Sequence, residues 1–385
     1  MPLALAVGAV ALPSEAFSRA AGPDETSGIP AEEEAPIALM VDAVSGQILF
    51  ARDPHRRFVP ASITKVMTAY VGCELLRDGR IKRDQRYTVS EEAYRNWSGQ
   101  GTSLYLKSGE SVTVDTLMRG IMSVSANDGA VVLAEGVAGS ISGWTEMMNN
   151  HARMLGMANS HFATPNGWPD EGQTFTSAAD LAILARAFLD RHPACYARYS
   201  GHRTFTYKGV TRRNHDPITG VVKGADGIKT GYTRQAGFGF LGSAERDGHR
   251  LVMLVAASDN SKVRASAARR FMEWGFAAFD RKILVPEGQT ITEARVQGGA
   301  DRSVPLVTKG ALAALVPRDS VHTYSLVLHY NGPIKAPVMA EDKVGEFEVW
   351  IDGQASHRYP ALAGRDVPVA NIWQRLRNGL LSLFA

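Results

Sequence analysis

The chain has 385 residues, 45% of them hydrophobic, and a formal net charge of +3. That is enough apolar material for a packed core and more than one domain. Lys and Arg are spread along the chain rather than clustered, and no Walker-type phosphate loop, H-E-x-x-H zinc helix or C-x-x-C pair occurs. These features exclude a nucleic-acid binder and the common nucleotide, zinc and dithiol sites.

In chain order, Leu3 to Leu12 is an apolar run too short to span a bilayer. Ser18 and Ala20 follow with the small-x-small spacing of a signal-peptidase site, although no Lys or Arg precedes the run. A signal peptide over 1–20 is expected, then a disordered acidic leader over 21–35. Alternation at Ile37, Leu39 and Val41, the turn residues 42–46 and a second run at 47–50 predict a hairpin. Pro60 suits a first helical turn, and Val66, Met67, Tyr70, Val71, Leu75 and Leu76 recur at helical spacing. Cys73 and Cys195 could form one bridge, but Cys73 falls within this apolar stretch, so a buried free thiol is the preferred expectation. The stretch 120–137 predicts helix around a polar interruption, and 177–189 a further amphipathic helix. The segments 229–243 and 250–258 predict adjacent strands, and 265–279 a return to helix. Strands and helices do not alternate regularly, which favours an α+β domain over 36–281.

From residue 282 to 366 short alternating runs separated by turn residues predict a small all-β, sandwich-like domain. In the tail, 367–385, Val369, Ile372, Trp373, Leu376, Leu380, Leu383 and Phe384 fall on one helical stripe with Arg375 and Arg377 off it. Such a helix is too short and too charged to cross a membrane, but suits a headgroup surface.

The chemistry rests on three short motifs. Ser62-Ile63-Thr64-Lys65 puts a hydroxyl and an amine one helical turn apart. Serine needs a base to become a nucleophile, and lysine is a base only when neutral. Bringing its pKa from about 10.4 to the useful range near 7–8 requires roughly 4 kcal/mol. A second cation about 4 Å away supplies on the order of 4 kcal/mol at an effective dielectric of 20, so another lysine is expected in the site. Ser125-Ala126-Asn127 interrupts an apolar segment with polar groups. Lys229-Thr230-Gly231 supplies a cation, a hydroxyl and a glycine at which a substrate backbone can approach a strand. Ser258-Asp259-Asn260 comes after these three, and is read as a loop at a strand end.

These motifs, in this order and about 60 and 100 residues apart, resemble the low-molecular-mass penicillin-binding proteins that act as serine D-alanyl-D-alanine carboxypeptidases. Residues 41–46, 60–68, 101–110, 155–157, 164–167 and 226–233 add to the likeness. So do 340–351 in the β-domain and the tail helix, so that the resemblance runs from about Pro36 to the end. Many members carry His where Asn166 stands. The resemblance implies a penicillin-binding, β-lactamase-like fold and a C-terminal β-domain. It implies Ser62 as nucleophile, Lys65 as base, Ser125 as proton relay and Asn127 as orienting amide. Lys229, Thr230, Gly231, Tyr232 and Arg250 would bind substrate, with the Ser62 and Tyr232 N–H groups as oxyanion hole. No metal or organic cofactor is implied. The implied partners are peptidoglycan pentapeptide, β-lactams and, through the tail helix, the outer face of the cytoplasmic membrane. The alternatives are a β-lactamase, with Glu171 the candidate deacylating carboxylate, a D,D-endopeptidase, and a catalytically idle peptidoglycan-binding scaffold.

Overall fold

A computed structural model describes residues 4–5, 28–318 and 320–382. The expected signal peptide lies outside the described residues apart from Ala4–Leu5. Of the leader, residues 28–35 are described and pack, with Glu34 accepting two hydrogen bonds from Arg270. The described residues form two compact units, one comprising 28–44 and Ile48–Ala277, the other Ala4–Leu5, Ser45–Gln47 and Ala278 onward.

The larger unit is α+β. Its antiparallel sheet has five strands in the spatial order Ile48–Arg52, Ile37–Asp42, His249–Ser258, Gly237–Arg246, Ala225–Thr233. The single strand expected over 229–243 is thus two, broken by a turn at Arg234-Gln235-Ala236. The helices follow the chain as α1 (Lys65–Arg77), α2 (Glu91–Trp97), α3 (Val114–Val124), α4 (Asn127–Ala138), α5 (Ile141–Leu155), α6 (Ala178–Arg191), α7 (Pro193–Tyr199) and α8 (Ser261–Ala278). One sheet face, with Leu39, Val41, Val252 and Leu254, joins α1 and α3 to α6 in a common apolar core. The opposite face meets α8, whose Gly275 approaches Met40 so closely that an added Cβ would lie 2.2 Å from its sulfur. Because both faces are covered, Ile37–Asp42 is buried at every position rather than alternating.

Helix α1 runs through the middle of this core, with every residue from Lys65 to Leu75 buried. A central helix is apolar all round except where polar groups find partners, and Lys65 is one of those groups. The polar interruption expected near 125 is a true break: α3 ends at Ser125, in the left-handed region at φ 61°, and α4 starts at Asn127.

The preference for a free thiol is corrected. Cys73 and Cys195 form a disulfide between α1 and α7, closing a loop 122 residues apart in sequence. The spacing gave no sign of this because α7 returns to α1 only after α3, α4, α5 and α6 have been laid down.

The smaller unit is all-β. A sheet ordered Tyr324–Tyr330, Lys343–Ile351, Gln354–Ala363, Ser303–Val307, Thr292–Gln297 shares a core with the ribbon Phe279–Val285/Leu312–Pro317. Leu312–Pro317 shows no alternation because five successive residues are buried. The tail helix α9 begins at Ile372, and Val367 and Ala370 before it are buried in the β-unit. On α9, Ile372 (75% exposed), Trp373 (78%) and Leu376 (57%) stand in solvent, while Arg377 and Asn378 donate to the Gly299 and Ala300 carbonyls. Among the described residues the polar face therefore turns inward and Ile372, Trp373 and Leu376 outward, opposite to a helix docked on a core; Leu383, Phe384 and the side chain of Leu380, also expected on the stripe, lie outside the described residues.

Losing the cross-link over so long a loop releases denatured-state entropy. Cys195→Ser is expected to lower unfolding free energy by about 2–5 kcal/mol in urea melts; an unchanged midpoint would show that the bridge adds nothing.

Candidate active site

Ser62 sits in a tight 3-10 turn, Ala61–Thr64, that runs directly into α1. Ala61 takes φ 49°, a conformation costing an ordinary residue about 1–3 kcal/mol unless its surroundings enforce it. Two glycines provide the enforcement. A Cβ on Gly167 would lie 1.8 Å from the Ala61 carbonyl oxygen, and one on Gly231 2.5 Å from that of Pro60. The turn is thus gripped between the loop after Asn166 and the edge strand that carries Lys229. Glycine is needed in both places for close approach, and at Gly167 also for φ 72°.

Lys65 is fully buried, and its Nζ has three neighbours: Ser62 Oγ at 2.8 Å, Asn127 Oδ1 at 2.7 Å and the Asn166 carbonyl oxygen at 2.7 Å. A neutral amine has two N–H bonds and one lone pair. Two of the neighbours are carbonyl oxygens, which only accept. They take the two N–H bonds, so the lone pair is left for the Ser62 hydroxyl. Burial holds the Lys65 amine well below the ordinary lysine range, and Lys229 pushes the same way, against Asp128. The sequence expectation that a second cation supplies the shift is therefore corrected in emphasis: desolvation is the larger cause. Lys229 is itself buried and lowered to about 7, by desolvation and then by Arg264.

Asn127 is fixed from three sides. Its Oδ1 accepts from Lys65, its Nδ2 donates to the Gln100 carbonyl, and its backbone N–H donates to the Thr102 carbonyl. Ser125 is held by a hydrogen bond from Thr102 Oγ1 to its own carbonyl. Asn166 contributes its main chain, not its side chain, to Lys65; the side-chain oxygen accepts from the Trp168 N–H. That position accordingly does not depend on an imidazole.

Above these groups opens a cleft of about 520 Å³ lined by Ser62, Ser125, Asn127, Thr230, Gly231 and Tyr232, the size of a small-peptide site. Lys65 and Lys229 are buried and do not line it. A larger cavity of about 740 Å³ beside Cys73 and Cys195 contains no serine–lysine pair. Arg250 does not belong to the cleft. Its guanidinium bonds Asp226, Ser243 and Glu245. It pairs in register with Glu245, six residues along the strand from Gly239, the partner of Gly231. Six residues of strand span about 20 Å.

Several cleft residues had no motif to mark them. Arg264 on α8 lines the cleft, is 6% exposed and donates to the Gly239 carbonyl, while its Nε has no partner among the described residues. Burial lowers it to about 10. Its signal is an arginine in phase with Ala267, Ala268, Phe271 and Gly275, the buried stripe of its helix. His215, at the lip, is lowered from the ordinary histidine range by desolvation, then by Lys229 and Arg264. Asp128 is buried and accepts from Ser103 Oγ and from the backbone N–H groups of Leu104, Leu106 and Gly129, tying the loop before α3 to the start of α4. Glu171 is exposed and does not line the cleft. Asn260 caps the start of α8 through the N–H groups of Lys262 and Val263.

Comparison with known proteins bears on this geometry. Residues 24–260 match the family model described as D-alanyl-D-alanine carboxypeptidase, and 279–369 that of the penicillin-binding protein 5 C-terminal domain. The chain is 33% identical over 353 residues to D-alanyl-D-alanine carboxypeptidase DacD of Escherichia coli, covering 90% of each. It is similar to the crystal structure of penicillin-binding protein 5 from Haemophilus influenzae, at 29% identity and TM-score 0.75, over 88% of this chain and 99% of that one. A further structural relative is penicillin-binding protein D2 of Listeria monocytogenes in its ampicillin-bound form, at 27% identity and TM-score 0.57, over 63% of this chain and 97% of that one.

The charges around Lys65 make opposite predictions. With Lys65 as the expected base, the neutral amine would be the reactive form and activity would fall as pH drops through its pKa. Lys229→Ala removes a repelling cation, raises that pKa and moves the acid limb of kcat/KM to higher pH. Asp128→Asn removes an attracting anion and moves it to lower pH. A pH–rate series in which both variants shift the same way would contradict this electrostatic account.

Proposed function

Because this chain belongs to the D-alanyl-D-alanine carboxypeptidase family, it is a serine peptidase of cell-wall peptides, and we propose that its residues divide the reaction as follows. Ser62 Oγ attacks the carbonyl of the penultimate D-Ala while its proton passes to the lone pair of Lys65. The N–H groups of Ser62 and Tyr232, the latter on an edge strand, hold the oxyanion, each donor contributing of order 10²–10³ in rate. As the C–N bond breaks, the proton moves from Lys65 through Ser125 to the departing D-Ala amine. Water then attacks the ester, with Lys65 again as base, and frees the shortened peptide. The observation that carries this reading is the 2.8 Å approach of Lys65 Nζ to Ser62 Oγ, with both remaining contacts of the amine to carbonyl oxygens.

Arg264 takes the role that the sequence reading gave Arg250. With Thr230 and Lys229 it holds the terminal carboxylate, a reading supported by a buried guanidinium whose Nε lacks a partner among the described residues. A β-lactam presents a carboxylate and a strained amide in the same relation, so it acylates Ser62. The exposed position of Glu171 argues against the water-activating carboxylate of a class A lactamase, so the adduct is long-lived.

The expected results are direct. Wild-type protein releases D-Ala from a diacyl-D-Ala-D-Ala peptide and carries a persistent penicillin adduct on Ser62 by mass spectrometry, and Ser62→Ala does neither. Arg264→Gln raises KM for the peptide roughly 10- to 100-fold, the worth of a charged hydrogen bond. Equal activity in wild type and Ser62→Ala would support the idle-scaffold alternative.

The chain is further proposed to work outside the cytoplasm, in the periplasm or held on the outer face of the cytoplasmic membrane by α9. The disulfide suits an oxidising compartment. The exposed Ile372, Trp373 and Leu376 suit a headgroup layer, where each bulky side chain contributes up to about 1.5–3 kcal/mol. Among the described residues no helix is long and apolar enough to cross a membrane. Removing residues 372–385, which spares the buried Val367 and Ala370, is expected to abolish binding to anionic vesicles while D-Ala release persists. Undiminished vesicle binding by the truncated protein would refute the anchor.

A further inference from the structure

The β-unit has a sheet edge that the catalytic reaction does not use. Strand Tyr324–Tyr330 pairs on one side with Lys343–Ile351, through seven consecutive residues and no bulge. Its other side meets only Ala4–Leu5 among the described residues, antiparallel and opposite His329 and Leu328. The rest of that side faces no strand. A bare edge presents unpaired N–H and C=O groups, and proteins usually blunt it with Lys, Pro, a bulge or short length. The sheet's opposite edge is blunted in this way: Ile334–Lys335 is two residues long, with Pro333 before it and Pro337 after. Tyr324–Tyr330 contains no Lys, Arg, Asp, Glu or Pro.

Its sequence is Tyr-Ser-Leu-Val-Leu-His-Tyr. Apart from Ser325 and His329 it reads the same from either end. Two copies laid antiparallel about Val327 therefore match along their whole length. Tyr324 meets Tyr330, Leu326 meets Leu328, and Val327 meets itself. Ser325 meets His329, a hydroxyl opposite an imidazole. The faces agree as well. Leu328 is buried in the core of the β-unit, with Tyr324, Leu326 and Tyr330 packed against it, so the tyrosine and leucine pairs fall on the core face. Aromatic and aliphatic cross-strand pairs of this kind stabilise a ladder, and no like charges stand opposite one another.

We propose that this edge is a dimer interface, in which a second copy of the chain pairs antiparallel through Tyr324–Tyr330 about a two-fold axis at Val327. The match is of the strand with itself, so the contact is isologous and assembly stops at two copies. Ala4–Leu5 shows that the edge accepts an antiparallel strand, but through two residue pairs. Self-pairing offers seven, so the second copy displaces it. Ala4–Leu5 also falls in the expected signal peptide, whose removal would bare the edge fully.

A residue on a two-fold axis faces its own copy, which gives a position-specific test. In the purified chain Cys73 and Cys195 are bridged, so an added cysteine is the sole free thiol. At Val327 the two Cα atoms would lie about 4.5–5.5 Å apart, within disulfide range. At Ser325 they would lie about 14 Å apart, four residues out of register. Under mild oxidation Val327→Cys, a change of little volume, is expected to form a covalent dimer at least about tenfold faster than Ser325→Cys. In sedimentation velocity the wild type is expected to show a concentration-dependent dimer. Val327→Lys and Val327→Glu are each expected to sediment as monomers and to pair when mixed. Equal cross-linking at 327 and 325 would overturn the inference, as would wild type and Val327→Lys sedimenting alike.

Discussion

A lysine amine enclosed by protein on every side is the constraint around which this molecule is arranged. An ammonium there would forfeit its hydration, a cost of several kcal/mol even after relaxation, and the protein does not surround it with compensating anions. It offers two carbonyl oxygens and one hydroxyl instead. These partners suit a neutral amine with a lone pair as well as they suit a cation, and burial tips the balance toward the neutral form. Basicity is thus obtained from where α1 lies in the core rather than chiefly from the charge of a neighbour.

That placement explains the conformational oddities around the cleft. The turn carrying Ser62 contains Ala61 at φ 49°, and α3 ends with Ser125 at φ 61°. Each strained residue is held by something close: Gly167 and Gly231 against the turn, Thr102 Oγ1 on the Ser125 carbonyl. Asp128 extends the same logic, since its hydrogen bonds to the 103–106 loop keep Thr102 and Gln100 where they lock Asn127. Function here comes from backbone held in unfavourable regions by neighbouring close contacts, the pattern expected where geometry must be preset.

Much of this was legible beforehand, and unevenly. Ser62 and Lys65 were readable because a one-turn spacing fixes their proximity whatever the rest of the chain does. Ser125, Asn127 and Lys229 to Tyr232 were readable only through the resemblance, since nothing local dictates that they meet α1. The failures share one cause. Arg250 came from the resemblance, but an antiparallel register decides position along a strand, and Arg250 pairs at the far end of the sheet from Gly231. Arg264 was missed because it arrives from α8, across the sheet edge, with no motif beyond a cation on a buried stripe. The Cys73–Cys195 bridge was ranked below a free thiol because a single pair of cysteines 122 residues apart gives no spacing to interpret. Local rules predicted the elements; only the packed structure brings their side chains to common points.

The central claim concerns a proton, and the most direct measurement observes it. Lysine side chains labelled with carbon-13 at Cε, with Lys65 assigned by comparison with Lys65→Arg, can be titrated by NMR in the unacylated protein. The account predicts a Lys65 signal that reports a neutral amine throughout the pH range in which the enzyme releases D-Ala. A Lys65 ammonium that stays protonated across that range would contradict it.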